Sequence, residues 1–319
     1  MPLKEQLTTD LTAAMRTGDE TRKSTLRMLI SAIKNAEVPA VIEHRVLDGE
    51  TVESVLIPSR ERVTFCVSSQ IGCALGCTFC LTGRLGLIRD LTAGEIVSQV
   101  VVLGREAERD YPGLRFSIVL MGMGEPLQNY DNVLKAIHIV HDDNGLAVPP
   151  ARITLSTAGL VPAMERLAAE RVFPNLSISL TGATNAKRDA LMPINRKYPI
   201  EAIVDTIRRL PAARQNRVMF ECVIIKDVTD SADDARELAR LLRGMTAKVN
   251  LIPLNPAPEI PYERPEDGAV VRFHRILLDS GVTTFVRKNR GNDVSGACGQ
   301  LKLWDSAPTL SPQTASLSP

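Results

Sequence analysis

Residues 66–80 read CVSSQIGCALGCTFC, with Cys73, Cys77 and Cys80 in a C-x3-C-x2-C spacing and a fourth cysteine, Cys66, seven residues upstream. Three thiolates so close in sequence can wrap one small metal centre. Iron–sulfur clusters are held by cysteine thiolates, and a [4Fe–4S] cube bound by three of them leaves one iron open to another ligand. A structural zinc site closes its tetrahedron with four ligands. Cys66 is the only local candidate for that fourth, because none of the four histidines lies nearby. Packing as small hydrophobes would require half of the six cysteines to gather in eight residues by chance.

The rest of the chain supplies the scaffold for such a loop. Its 319 residues are 44% apolar and 24% charged, enough for a sizeable core. Lys plus Arg at 38 against Asp plus Glu at 37 leaves a net charge of +1, so any basic surface for nucleic acid must be local. The opening MPLKEQLTTDL has no apolar h-region, and no apolar run reaches the roughly 18 residues of a membrane span. Bunched, unpaired cysteines suit a reducing compartment, and the expectation is a cytoplasmic protein without membrane association.

Residues 3–38 carry Leu3, Leu7, Leu11 and Met15, then Leu26, Leu29, Ile30 and Ile33, at helical spacing around a polar TGDET turn. This predicts a helical hairpin, set apart as residues 1–40. IEHRVL and VESVLIP read as two strands joined around Asp48-Gly49, a small β-hairpin within 41–62 that leads into the core. From residue 63, apolar strands (63–68, 117–122, 152–156, 175–180, 217–225, 248–254) alternate with helices (92–106, 130–142, 161–170, 199–209, 231–243, 267–280), and a further strand, TTFVRK, follows. Such alternation argues for a parallel α/β barrel or an open doubly wound sheet over 63–305. The Ser/Pro/Thr-rich tail at 306–319 is expected to be disordered.

In parallel barrels the active site gathers at the C-terminal strand ends, and here those ends are polar and glycine-rich. They carry the cysteine loop, GMGEP at 122–126, Ser156-Thr157, Ser179-Leu180-Thr181, Lys226-Asp227 and Asn255-Pro256. Gly122 and Gly124 fit close approach of backbone to a ligand, and Glu125 could hold an ammonium group. Ser156, Ser179 and Asn255 suit a ribose or carboxylate, and equally turns and helix caps. Cys298 lies in RGNDVSGACGQL, flanked by small residues, whereas Cys222 in RVMFECVII reads as core.

With Phe79 before the last cysteine, C-x3-C-x2-C resembles the radical S-adenosylmethionine (SAM) superfamily, in which SAM chelates the open iron. VESVLIP, CVSSQIGCALGCTFC, LMGMGEPLQN, ITLSTAG, LMPINRKYPI, VNLIPLNPAP and TTFVRKNRGNDVSGACGQL resemble, in order and spacing, the RlmN/Cfr-type radical SAM RNA methylsynthases from about Val41 to Leu301. The resemblance is nearest to the dual-specificity adenine-C2 methyltransferases acting on 23S rRNA and tRNA. It implies a partial (β/α)6 barrel and one [4Fe–4S] cluster on Cys73, Cys77 and Cys80. It further implies a SAM site lined by Gly124, Glu125, Ser156, Ser179, Leu180, Thr181 and Asn255, and two SAM per turnover. By the same resemblance Cys298 becomes S-methylated, Cys66 is the thiol that resolves the adduct through a Cys66–Cys298 disulfide, and Glu53 accepts the C2 proton. An electron donor such as flavodoxin and a monomeric state complete the expectation.

Two departures stand out. The family usually shows His at Thr181, and its N-terminal helical domain is replaced by LKEQLTTDLTAAMRTGDETRKSTLRMLISAIKNAEV, which resembles the start of the YqeY-like family. For RNA phosphates the candidates are Arg60, Arg62, Arg84, Arg89, Arg196, Lys197, Arg287, Lys288 and Arg290. Aromatics at 4% make base stacking a minor grip. The competing readings are adenine-C8 methylation by the same two cysteines, a non-enzymatic iron–sulfur protein, and a tRNA-binding adaptor built on the helical hairpin.

Overall fold

The computed structural model describes residues 3–35, 40–46, 48–59, 61–246, 248–287 and 299–301. Cys298, Arg60, Lys288, Arg290 and the tail at 306–319 therefore lie outside the described residues. Helices Leu3–Thr17 and Glu20–Asn35 lie side by side, with Ala14 and Leu26 buried. Only Gly18 and Asp19 separate them, and the Asp19 carboxylate accepts the Arg22 amide at 2.9 Å, capping the second helix.

The strands are β1 (Ala40–Arg45), β2 (Thr51–Pro58), β3 (Arg62–Cys66), β4 (Gln70–Cys73), β5 (Gly86–Asp90) and β6 (Arg115–Leu120). They continue as β7 (Ile153–Thr157), β8 (Asn175–Ser179), β9 (Val218–Ile224), β10 (Lys248–Pro253) and β11 (Thr284–Val286). Nine form one sheet in the order β1-β2-β3-β6-β7-β8-β9-β10-β11. The pairs from β3 onward are parallel, while β1–β2 and β2–β3 are antiparallel. A doubly wound sheet reverses its strand order at a switch point. Here the order only increases, so of the two architectures open to the sequence the chain adopts the singly wound partial barrel.

Register separates two faces of this sheet, because directly paired residues point the same way. Phe65, Ile118, Leu120, Ile153, Leu155, Leu176, Ile178, Phe220, Cys222 and Leu251 form the outer, helix-covered face, fully buried in the core. The opposite face carries Glu53, Thr64, Cys66, Ser117, Thr154, Ser156, Ser177, Ser179, Glu221 and Asn250. Several of these, Ser156, Ser179 and Asn250 among them, are only half-buried. The inner face is thus a polar lumen, and its serines and threonines keep it from closing as a second apolar core. Among the described residues no helix is long and apolar enough to cross a membrane.

Candidate active site

Cys66 ends β3, and the chain then enters Ser68-Ser69-Gln70, a buried polar run that ties the mouth of the barrel together. The Ser68 hydroxyl donates to the Glu53 carbonyl at 2.6 Å and accepts the Met123 amide at 2.7 Å. Gln99 clamps the Ser68 backbone through bonds of 2.8 and 3.0 Å, and Gln70 Oε1 accepts the Glu125 amide at 2.8 Å. Two of the predicted strand ends, those of β3 and β6, are therefore joined to each other and to β2 by side chains the motif reading passed over. Their signal in the sequence was three polar residues between Val67 and Ile71 where a strand would alternate.

The cysteine loop is the base of a second, smaller hairpin: β4 pairs antiparallel with β5, placing Cys73 opposite Gly86. Gly72 sits at φ +76°, and a Cβ there would lie 1.9 Å from the Gly86 carbonyl oxygen, so only glycine lets the hairpin close. The loop turns through the Cys80 amide bonding the Cys77 carbonyl at 3.2 Å and enters the short helix Leu81–Leu85. Cys73, Cys77 and Cys80 are each half-buried, neither fully buried nor exposed. Burial pushes the Cys73 thiol up to about 12 and raises Cys77 further, with repulsion from neighbouring thiolates adding to both. Among the described residues no three His, Cys, Asp or Glu are drawn close enough to hold a single metal ion.

GMGEP lies beside this loop. Gly124 adopts φ +99°, and a Cβ there would come within 2.5 Å of Gln70 Cβ, which fixes glycine at that position. Glu125 is buried, accepting the Ala158 amide at 2.7 Å and the Leu127 amide at 3.0 Å. Desolvation outweighs these bonds and raises its carboxyl to about 7. Between the unfolded value near 4.5 and 7 the folded chain holds one proton more than the unfolded chain. This contribution to stability is full below pH 4.5 and lost as pH rises through 7. Glu125→Gln should remove on the order of 3 kcal/mol of that pH dependence. Urea unfolding of metal-free protein at pH 5 and pH 8 checks it; equal slopes for both proteins would refute it.

Ser179, Leu180 and Thr181 leave β8 together. Leu180 is fully buried, and the Leu180 and Thr181 amides donate to the Glu221 carbonyl at 2.9 and 3.2 Å. Thr181 is held at φ +60°, and its buried hydroxyl oxygen has no hydrogen-bond partner among the described residues. An orphaned hydroxyl in a half-open polar lumen is what a bound polar ligand would complete. Asn255 is buried just beyond β10, and Ser156 lines the lumen from β7. The residues present thus fit SAM at the strand ends and a cluster at the three cysteines.

Glu53 shares the inner face with Cys66, one diagonal step away across β2 and β3, which is about 7 Å. Cys298 lies outside the described residues, but the three residues after it are anchored at the cysteine loop. The Leu81 amide donates to the Gly299 carbonyl at 2.8 Å, Thr82 Oγ1 to the Leu301 carbonyl at 2.7 Å, and Gln300 Nε2 to the Pro256 carbonyl at 3.0 Å.

Two charged residues, Glu221 on the inner face and Arg188 at the strand ends, escaped the motif reading. Glu221 accepts Ser177 Oγ and Asn250 Nδ2, each at 2.7 Å, and burial raises its carboxyl. Its signal was a lone acid in an otherwise apolar strand. Arg188, in the helix Asn185–Leu191, is fully buried, and nothing in its short polar surroundings announced that. Among the basic residues proposed for phosphates, Arg89 is already paired with Asp48 at 2.6 Å and Glu95 at 2.8 Å, and Arg84 donates to the Glu259 carbonyl. Arg196 and Lys197 are exposed.

Comparison with known proteins agrees with this geometry. Residues 67–242 match the Radical SAM superfamily. The chain is 50% identical over 258 residues to the dual-specificity RNA methyltransferase RlmN of Geobacter sulfurreducens, covering 81% of this chain and 70% of that protein. It is 44% identical over 299 residues to the protein of the same name from Anaeromyxobacter dehalogenans, covering 92% and 80%. That match is longer than the stretch from Val41 to Leu301, so the likeness extends beyond the motifs. The crystal structure of a radical SAM methyltransferase from Sphaerobacter thermophilus superposes with a TM-score of 0.80 at 46% identity, covering 82% of this chain and 77% of that one. The superfamily carries a [4Fe–4S] cluster and uses SAM, which the cysteine loop and strand ends above accommodate. The chain belongs to the radical SAM superfamily and, within it, to the RlmN dual-specificity RNA methyltransferases.

Proposed function

We propose that this enzyme methylates C2 of adenine in 23S rRNA and tRNA, with Cys298 as methyl carrier, Cys66 as resolving thiol and Glu53 as proton acceptor. Cys73, Cys77 and Cys80 would hold the cluster, and Gly124, Glu125, Ser156, Ser179, Leu180, Thr181 and Asn255 would line the SAM site. The observation that carries this reading is the anchoring of residues 299–301 on the cysteine loop, beside the barrel end that also presents Cys66. Gly299, the residue that follows Cys298 in sequence, is held there by the Leu81 amide, which supports a role for Cys298 at the same mouth.

C2 of adenine is an sp2 carbon without useful nucleophilicity, so displacement on a methyl sulfonium does not reach it. When bound, the cluster and two SAM molecules per turnover would supply the methyl group, the carbon radical that takes a hydrogen from it, and the acceptor for the electron given up as the adduct loses its C2 proton. The chain does the rest. The Cys298 sulfur carries the methyl carbon to C2 and becomes a thioether link between protein and RNA. Glu53, on the inner face beside Cys66, takes the C2 proton. The Cys66 thiolate then attacks the Cys298 sulfur: an S–S bond forms, the S–C bond breaks, and the carbon is protonated to a methyl group as the RNA leaves. The polar lumen orients the base, and exposed Arg196 and Lys197 contribute to phosphate binding.

The same reading takes the enzyme to be a cytoplasmic monomer reduced by a flavodoxin-like donor. Mass spectrometry of adenosines from cells lacking C2 methylation, complemented with this gene, tests the activity. 2-Methyladenosine should return in 23S rRNA and tRNA, and 8-methyladenosine or no methylation would refute the assignment.

A further inference from the structure

Arg188 is the largest fully buried side chain among the described residues, and the proposed mechanism leaves it without a task. Among the described residues, each of its hydrogen bonds ends on a neutral oxygen. Nε donates to the Leu180 carbonyl at 3.0 Å, and Nη1 to Asn195 Oδ1 at 2.8 Å and the Tyr198 carbonyl at 3.4 Å. Nη2 donates to the Ala158 carbonyl at 2.5 Å and the Ser179 carbonyl at 3.3 Å. Its sequence neighbour Asp189 spends a carboxylate oxygen on Asn195 Nδ2 at 2.6 Å. A buried guanidinium satisfied only by dipoles is costly, and buried charges are normally paired with opposite charge.

The missing anion has an address. The helix bearing Arg188 ends at Leu191, whose carbonyl accepts the Thr78 amide at 3.0 Å, next to Cys77. Ala158, whose carbonyl Arg188 holds, packs in a small apolar cluster with Leu191 and Cys77. Burial lowers the guanidinium to about 10, leaving it charged at neutral pH; a thiolate at Cys77, the form a metal would hold, and then Asp189 oppose that shift. Three thiolates outweigh the positive core of a resting [4Fe–4S] cluster, so the liganded cluster is an anion, and one further electron makes it more negative.

We propose that Arg188 is the buried counter-cation of the iron–sulfur site, a positioning residue that raises the cluster's reduction potential while bracing the ends of β7 and β8 that line the SAM site. The inference rests on the cluster being held by Cys73, Cys77 and Cys80. A positive charge beside the cluster favours its reduced state, and guanidinium bonds to Ala158, Ser179 and Leu180 couple that charge to the strand ends.

The test is an anaerobic redox titration, followed by electron paramagnetic resonance, of reconstituted full-length wild type, Arg188→Lys and Arg188→Gln, with iron and sulfide counted in each preparation. Lys keeps the charge and loses the fork; Gln loses the charge. Arg188→Gln should show a reduced-to-oxidised ratio about tenfold lower than wild type at a fixed potential, a shift of about 59 mV for a one-electron couple. Arg188→Lys should stay near wild type. Retention of the cluster by Arg188→Lys with loss by Arg188→Gln would support the same conclusion. An unshifted Arg188→Gln, or equal shifts or equal cluster loss in both variants, would overturn it. Wild type lacking a four-iron cluster would instead remove the reading of the cysteine loop itself.

Discussion

Cys66→Ala enzyme incubated with reductant, SAM and RNA is expected to accumulate RNA covalently attached through Cys298, with release of methylated product falling to near zero. Methyl loading of Cys298 and addition to C2 do not need Cys66; breaking the S–C bond does. Cys298→Ala removes the carrier sulfur, so its RNA stays free and unmodified. Denaturing gels should show nuclease-sensitive retarded protein for Cys66→Ala alone. Glu53→Gln, one diagonal step away on the same face, should slow turnover by about 10²–10⁴-fold, the usual cost of losing a positioned general base. If neither cysteine variant traps RNA, or both still methylate, the two thiols do not share a thioether intermediate in this enzyme.

Burial of Cys66 at the end of β3, with only 6% of its surface exposed, sharpens this expectation, since a small thiol there reaches only a partner delivered into the lumen. Substituting Ala removes a sulfur without disturbing the outer core, because the apolar residues that hold β3 point the other way, as Phe65 stacked on Phe116 at 4.7 Å does.

The scaffold was legible wherever periodicity is long. The expected helix at 161–170 is Val161–Ala169, that at 130–142 is Tyr130–His141, and the strand expected at 248–254 is Lys248–Pro253. Strand order was not legible: apolar alternation fixes which segments are strands but not whether successive crossovers continue in one direction, and barrel and doubly wound sheet share the same local pattern. Short elements also escaped. The β4–β5 hairpin and the helix Asn185–Leu191 are too brief to show a period, yet one shapes the cysteine loop and the other carries Arg188. At the site, motif spacing singled out residues at the strand ends and in the cysteine loop. It missed Gln70, Gln99 and Glu221, whose work is to bond other parts of the chain, because such partners are set by tertiary contact and leave no spacing in the sequence.

The cluster ligands give the second large effect. Anaerobically reconstituted enzyme should carry about four irons per chain, and Cys73→Ala, Cys77→Ala or Cys80→Ala should each carry less than about one and cleave no SAM. Cys222→Ala should keep its iron, because that thiol lies fully buried on the outer face with Phe220 and Ile224. The metal-free thiols of Cys73 and Cys77 are raised by burial, Cys73 to about 12, so at neutral pH they hold protons that ligation must expel. Loading therefore releases protons, and cluster affinity should fall as pH falls. Iron retention after chelator challenge at pH 6.5 and pH 8.5 reads this directly, with greater loss expected at the lower value. The three ligand variants separate the cluster from the fold: each should unfold like metal-free wild type, since the outer face and its helices hold the barrel without the loop's metal. Stoichiometric zinc with no iron in anaerobically purified wild type would overturn the assignment, because a metal that undergoes no redox change cannot deliver the electron that SAM cleavage requires.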